Sequence, residues 1–308
     1  MNLNAFFRKA KNLIKKIIKK NREKIRNVSF RTFQNLASLI RNNIHKLPEI
    51  DLIVGIPRSG IIPAYIIALF LNKQVCSLNE FLNNIELTQG DRNFIKNNKD
   101  KKTVLIVDDS ISTGKALEKV KKTLEKIDLT KYEILYCAIY ATNETQKMVD
   151  YYFEKIEQPR LFQWNYLNHE RAMESCYDLD GVLCVNPTEE ENDDGEKYVN
   201  FILNAKPLFI PNYEIHSIVT SRLEKYRVQT QAWLEKHNIK YKNLFMLDLS
   251  DARTRRELNC HADFKAKIFK DLKECRLFIE SDDNQAKKIA QLSKKEVICV
   301  STDEYYRG

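Results

Sequence analysis

Thr103-Val104-Leu105-Ile106-Val107-Asp108-Asp109-Ser110-Ile111-Ser112-Thr113-Gly114-Lys115 joins an apolar, β-branched run to two adjacent carboxylates and a turn rich in hydroxyls and glycine. The run predicts a buried strand over residues 103–107. The spacing of Leu117, Val120 and Leu124 predicts an amphipathic helix over residues 116–127. A strand, a tight turn and a helix make half of a βαβ unit, so the class is α/β with a parallel sheet. At the start of that helix Ser112, Thr113, Gly114 and Lys115 offer hydroxyls, free N–H groups and the positive end of the helix dipole to an anion. The plainer reading is an ordinary strand-to-helix turn with capping aspartates.

Upstream, Asp51-Leu52-Ile53-Val54-Gly55-Ile56-Pro57-Arg58-Ser59-Gly60 reads as a second buried strand running into a tight loop, with a helical stretch near residues 30–46 before it and a helix over 61–71 after it. Pro57, Arg58, Ser59 and Gly60 present backbone N–H groups and one cation to an anion. Vicinal acids beside a phosphate cradle suit a ribose 5-phosphate, with Asp108 and Asp109 on the 2- and 3-hydroxyls. In these residues the chain resembles the type I phosphoribosyltransferases, whose signature is an apolar strand, two acids and a Thr-Gly phosphate loop. The resemblance implies that Asp108 and Asp109 meet the ribose of 5-phosphoribosyl 1-diphosphate. It also implies that residues 112–115 hold the 5-phosphate and residues 56–60 the diphosphate, with Mg²⁺. Ala116 stands where many members carry a hydroxyl, and Ser112 where purine enzymes carry an acid, which points away from a purine acceptor. Residues 77–102, with Gln89, Gly90, Asp91 and Arg92, are then a loop covering the site.

Further on, Ser175-Cys176-Tyr177-Asp178-Leu179-Asp180-Gly181-Val182-Leu183 places two acids at spacing i, i+2 at a strand end. That spacing lets Asp178 attack phosphorus while Asp180 protonates the leaving oxygen and returns as base toward water. Asp178, by side chain, and Asp180, by main-chain carbonyl, also help define a Mg²⁺ site. Partners follow in order. Ser217-Ile218-Val219-Thr220-Ser221-Arg222 is a strand ending in hydroxyls, Phe264-Lys265-Ala266-Lys267 offers an ammonium, and Leu277-Phe278-Ile279-Glu280-Ser281-Asp282-Asp283 is a strand ending in acids. This half resembles the haloacid dehalogenase superfamily of phosphatases across most of residues 171–308. The resemblance makes Asp178 the nucleophile, Asp180 the acid/base, and Thr220 and Lys265 the phosphate binders, with Ser221 beside Thr220 among the substrate-binding residues. Glu280 and Asp282 are the candidates for the last metal ligand, with Asp283 beside them and Lys267 the alternative to Lys265. About 35 residues separate the first two motifs, and the acidic run 189–196 within them is a small cap or a solvated loop.

The 308 residues carry 51 Lys and Arg against 42 Asp and Glu, a net charge of +9. Residues 1–26 hold ten basic residues against Glu23 alone, so this segment carries the whole excess. Leu3, Phe6, Phe7, Ala10, Leu13, Ile14, Ile17, Ile18 and Ile25 recur at helical period there. They predict a basic amphipathic helix suited to an anionic membrane surface. Docking on the body is the alternative. Nucleic acid is not the expected partner, because a continuous apolar stripe does nothing for phosphate contacts. The seven cysteines are scattered without a CxxC pair, which excludes a zinc-site pattern and a disulfide scaffold and fits a reducing cytoplasm. No run reaches the ~18 apolar residues of a membrane span.

The expected architecture is two Rossmann-like α/β domains with parallel-sheet cores, over residues 27–170 and 171–308, preceded by the helix at 1–26. A transferase of this kind leaves a 5-phosphate monoester, and a phosphatase removes monoesters. The pair resembles bacterial systems that build ribofuranose into capsule or O-antigen glycans. It implies a glycan or lipid-linked glycan acceptor and a cytoplasmic enzyme at the inner membrane face. The alternatives are nucleotide metabolism with a base such as orotate as acceptor, or a regulator that binds 5-phosphoribosyl 1-diphosphate.

Overall fold

The computed structural model describes residues 28–85 and 100–308. The basic segment 1–26 and most of the covering loop, including Gln89, Gly90, Asp91 and Arg92, lie outside the described residues. The chain divides into two compact units, Met1–Arg160 and Leu161–Gly308, earlier in the chain than the 170/171 division read from the sequence.

The first unit holds five parallel strands: β1 (Leu52–Gly55), β2 (Gln74–Ser77), β3 (Lys102–Ser110), β4 (Tyr132–Ala141) and β5 (Tyr151–Lys155). Their spatial order is β2-β1-β3-β4-β5, all in parallel register. Strand β3 is apolar from Val104 to Val107 because it is buried on both faces, as a central parallel strand must be. It runs three residues beyond the expected end, so Asp108 and Asp109 lie within the sheet rather than after it. Helix α1 (Phe33–Asn43) starts later than expected: Thr32 caps it by accepting from the Asn35 N–H, while Ser29–Arg31 is extended. Helix α2 (Ile61–Leu71) follows β1, and α3 spans Lys115–Leu124, shorter than the 116–127 expected. Leu117, Val120 and Leu124 are its buried face. Val120 and Leu124 pack in one cluster with Val54, Val104 and Ile106. Residues expected as loop after Ser77 begin instead with a short helix, Leu78–Leu82, capped by Ser77.

With this order the chain leaves β1 toward one side of the sheet and returns to β3 on the other. The carboxyl ends of β1 and β3 therefore flank the point where the winding reverses, the crevice in which doubly wound sheets bind ligands.

The second unit holds β6 (Ser175–Tyr177), β7 (Ile215–Leu223), β8 (Tyr241–Leu247), β9 (Leu277–Glu280), β10 (Glu296–Cys299) and the antiparallel edge β11 (Tyr305–Arg307), in order β8-β7-β6-β9-β10-β11. Its helices are α4 (Glu196–Asn204), α5 (Arg227–Lys236), α6 (Ala252–Leu258), α7 (His261–Asp271) and α8 (Asp283–Ser293). Phe269, Phe278, Ala286, Ile289 and Val297 form the core between α7, α8 and the sheet. Here the winding reverses between β6 and β9, and their register, with Ile279 opposite Tyr177, brings Asp178 and Glu280 to one end of the sheet. Among the described residues no helix is long and apolar enough to cross a membrane.

Candidate active sites

In the first unit the loop after β1 folds back onto β3. The Ile56 N–H donates to the Val107 carbonyl at 2.8 Å. Gly60 sits so close that a Cβ there would lie 2.6 Å from the Ile56 oxygen and 2.7 Å from the Val107 oxygen. Both are backbone atoms and neither can yield. Pro57 and Arg58 are exposed and joined by a cis peptide, and Ser59 is half-buried. Replacing Gly60 by Ala should lift the loop from β3 and cost about 1–3 kcal/mol of stability, as overpacking does. A melting temperature lowered by several degrees is the expected reading. An unchanged melting temperature would refute the close-approach argument.

Asp108 and Asp109 are buried at the end of β3, with 9% and 4% of their surface exposed. The Asp109 N–H donates to Asp108 Oδ1 at 2.9 Å. Burial first, then the Asp109 carboxylate, pushes Asp108 up to about 7, against a smaller pull from Arg160. Arg160, which the sequence reading missed, is itself buried and is influenced by both acids. Its Nη1 donates to the Ile156 carbonyl at 3.1 Å. Nothing near it in sequence marks it, since it reaches the acids from beyond β5.

The raised value fixes a stability sign. A carboxyl whose folded pKa exceeds its ordinary 3.8 favours the fold while protonated, and that contribution is lost as pH rises through about 7. Without metal or substrate, Asp108→Asn should therefore stabilise the first unit more at pH 8 than at pH 5, by up to about 3 kcal/mol. Thermal unfolding in chelator at the two pH values checks this; an equal effect at both would contradict it.

The turn after β3 is held from three sides. The Ile111 N–H donates to the Tyr140 carbonyl at 2.9 Å, Thr145 Oγ1 donates to the Ile111 carbonyl at 3.2 Å, and Gln158 Nε2 donates to Ser112 Oγ at 3.1 Å. Ser112, Thr113 and Lys115 are exposed. Gly114 has φ +75°, the left-handed region that glycine adopts freely, and a Cβ there would strike Met148. The loops carrying residues 56–60 and 112–115 and the acid pair thus belong to the carboxyl ends of neighbouring strands β1 and β3.

In the second unit Lys265 Nζ donates to Asp178 Oδ2 at 2.7 Å, to Glu280 Oε2 at 2.8 Å and to Gln285 Oε1 at 3.0 Å. Lys265 and Glu280 are almost wholly buried, whereas Lys267 is exposed. The Leu179 N–H donates to Asp178 Oδ1 at 2.8 Å. Burial pushes Asp178 up to about 8, with Glu280 adding to the rise and Lys265 opposing it. Asp180 is not a free carboxylate: Arg222 grips it, Nε to Oδ2 at 3.1 Å and Nη2 to Oδ1 at 2.6 Å. Nothing adjacent to Arg222 in its sequence motif supplies a partner, and only the fold pairs it. Thr220 Oγ1 accepts from the Arg222 N–H at 3.2 Å, while Ser221 Oγ is buried without a hydrogen-bond partner.

Asp178, Asp180, Thr220, Ser221, Lys265 and Glu280 all line one cavity of about 360 Å³. Asp282 lines it too, although its Oδ1 caps α8 by accepting from the Gln285 N–H at 2.8 Å. Asp283 turns elsewhere, accepting from Thr302 Oγ1 and the Tyr306 hydroxyl. Asn186, Asn192 and Tyr198 close another wall. The acidic run between the first two motifs therefore contributes to the pocket, anchored where Asp194 Oδ2 accepts from Lys225 Nζ and the Ala252 N–H, each at 2.9 Å.

Among the described residues no group of three or more His, Cys, Asp or Glu side chains is arranged to hold a metal ion. Mg²⁺ asks for less, since one or two carboxylates with waters and a substrate phosphate suffice. The donors here are hard oxygens. Two carboxylates, Asp178 and Glu280, share the one Lys265 ammonium, an excess of negative charge that a divalent cation relieves.

A family model described as Phosphoribosyl transferase domain matches residues 4–169. Among solved structures, a purine phosphoribosyltransferase from Pyrococcus horikoshii is 26% identical, with 46% of this chain and 95% of that chain covered and a TM-score of 0.35. The Helicobacter pylori xanthine-guanine-hypoxanthine phosphoribosyltransferase is 16% identical, with 46% and 93% covered and a TM-score of 0.34. A chain of the Pnkp1/Rnl/Hen1 complex is 12% identical, with 93% and 91% covered and a TM-score of 0.26. No curated protein matches.

Proposed function

This chain belongs to the phosphoribosyl transferase domain family, matched over residues 4–169, and from that premise we propose a two-step enzyme. The first unit moves a 5-phosphoribosyl group from 5-phosphoribosyl 1-diphosphate to a glycan or lipid-linked glycan acceptor, and the second strips the 5-phosphate to leave ribofuranose. The transfer follows from the family. The acceptor and the second step are our reading. The observation that carries it is the pocket in which Asp178, Lys265 and Glu280 meet beside an Asp180 clasped by Arg222.

In the first unit Asp108 and Asp109 take the ribose hydroxyls, residues 112–115 the 5-phosphate, and Pro57, Arg58, Ser59 and Gly60 the diphosphate. Charge leaves with the diphosphate, so the exposed Arg58 and the loop N–H groups are the stabilising donors. In the second unit Asp178 attacks phosphorus and Asp180 carries the proton to the leaving oxygen, held in place for that transfer by the Arg222 fork. Thr220, Ser221 and Lys265 receive phosphoryl oxygens. Asp178, the Asp180 carbonyl and Glu280 or Asp282 would hold Mg²⁺, which when bound supplies charge neutralisation of the phosphoryl group. The second unit is read here as haloacid dehalogenase-like.

The test is to supply labelled 5-phosphoribosyl 1-diphosphate and Mg²⁺ with either a lipid-linked glycan fraction or free nucleobases. Label appearing as ribose in the lipid fraction is expected. Label captured by a base such as orotate would replace the glycan acceptor and leave the transfer standing. Residues 1–26 are assigned here to anionic membrane surfaces. Deleting them should abolish salt-sensitive liposome pelleting while turnover on ribose 5-phosphate changes little. Pelleting that survives the deletion would refute this assignment.

A further inference from the structure

The buried cations of the second unit differ in one respect. Lys265 is shared between Asp178 and Glu280, and Arg222 is paired with Asp180. Arg255, on α6, is also buried, with 7% of its surface exposed, but no carboxylate among the described residues pairs with it. Its Nη1 donates to the Ser221 carbonyl at 3.0 Å and its Nη2 to Asn192 Oδ1 at 3.3 Å, both neutral acceptors. Its Nε has no hydrogen-bond partner, and neither has Ser221 Oγ beside it. Both residues line the cavity.

A buried guanidinium with only neutral partners is costly, and so is a buried donor left unmade; where both face a cavity, water or a bound anion completes them. The cavity is asymmetric in charge. The side formed by Asp178 and Glu280 has more carboxylate than cation, while the wall formed by Ser221 and Arg255 has a cation without an acid. A dianionic phosphoryl group seated with a divalent cation balances both sides. We propose that Arg255, with Ser221, binds the phosphoryl oxygens of a phosphomonoester dianion and is the principal substrate-binding cation of this unit. The inference rests on the phosphatase reading of the second unit. Arg255 is fixed in advance by Ser221 and by Asn192, whose segment is tied through Asp194 to the first residue of α6. Little ordering is left for binding to supply. A planar fork suits two phosphoryl oxygens, which a lysine would meet only as a point charge.

The test uses the full chain with Mg²⁺ and inorganic phosphate as the probe, read by calorimetry and by the phosphate-induced rise in melting temperature. Wild type should bind phosphate. Arg255→Gln should weaken binding about 10- to 100-fold, the loss expected for a charged hydrogen-bonding partner. On ribose 5-phosphate it should raise KM by a similar factor, and Arg255→Lys should recover part of that loss. Ser221→Ala removes a hydroxyl that makes no internal bond, so it folds as wild type does, and it should weaken phosphate binding about tenfold. If Arg255→Gln fails to fold, Ser221→Ala with Arg255→Lys decides. Unchanged phosphate affinity and KM in folded variants overturn the proposal and leave the phosphatase reading intact. Phosphate held through Arg255 by a chain that hydrolyses no monoester upholds the anion site and overturns the phosphatase reading. No phosphate binding by wild type overturns the proposal.

Discussion

If the second unit is the proposed phosphatase, Asp178→Asn should leave the acceptor carrying a ribosyl 5-phosphate, with dephosphorylation slowed by about 10⁴-fold or more, as loss of a nucleophile costs in other hydrolases. The amide cannot attack phosphorus, while the first unit keeps every group assigned to transfer. Misfolding does not account for such a loss. Lys265 retains Glu280 at 2.8 Å, and the substitution removes a carboxylate that burial already disfavours as an anion. The melting temperature should therefore stay within a few degrees of wild type. Mass spectrometry of the product reads the outcome directly, as a gain of phosphoribose instead of ribose. If the variant still yields the plain ribosyl product, Asp178 is not the nucleophile.

The complementary variant, Asp108→Asn with Asp109→Asn, should lower phosphoribosyl transfer at least about 10³-fold and leave hydrolysis of ribose 5-phosphate by the second unit unchanged. Both acids lie at the end of β3, beside the loop that Gly60 brings against that strand. On the proposed assignment, losing them removes the ligands of the ribose hydroxyls beside the loops that carry residues 56–60 and 112–115. The two units have separate cores, so the losses should be separable. Equal loss of both activities in a folded double variant would contradict the division of labour. Transfer that survives would move the ribose site away from β3.

What the sequence determined by itself was local. Apolar runs at strand length, acids at strand ends and turns before helices are relations between residues a few positions apart, and they placed β1, β3, β6, β7 and β9. They also supplied the α/β class and the order of motifs. Boundaries were less legible, because pairing decides them. Strand β3 runs through Asp108 and Asp109 to Ser110, since β4 continues beside it, with Ser110 opposite Tyr140.

Only the tertiary structure decided which charges meet. Sequence spacing could not separate Lys265 from Lys267; burial against Asp178 and Glu280 does. It gave Arg222 no partner, yet the fold pairs it with Asp180, 42 residues earlier. Arg160 and Arg255 were not singled out at all, for they reach their sites from segments with no motif of their own. The sequence offers Gly60 as an anion-facing loop residue, and only the fold sets the backbone of β3 2.7 Å from its missing Cβ. The physical reason is common to all of these. A parallel sheet joins neighbours through long crossovers, so residues far apart in the chain share one sheet end. Whether a charge there is paired, buried or left for a ligand depends on the packing of several crossovers at once, and no local pattern records it.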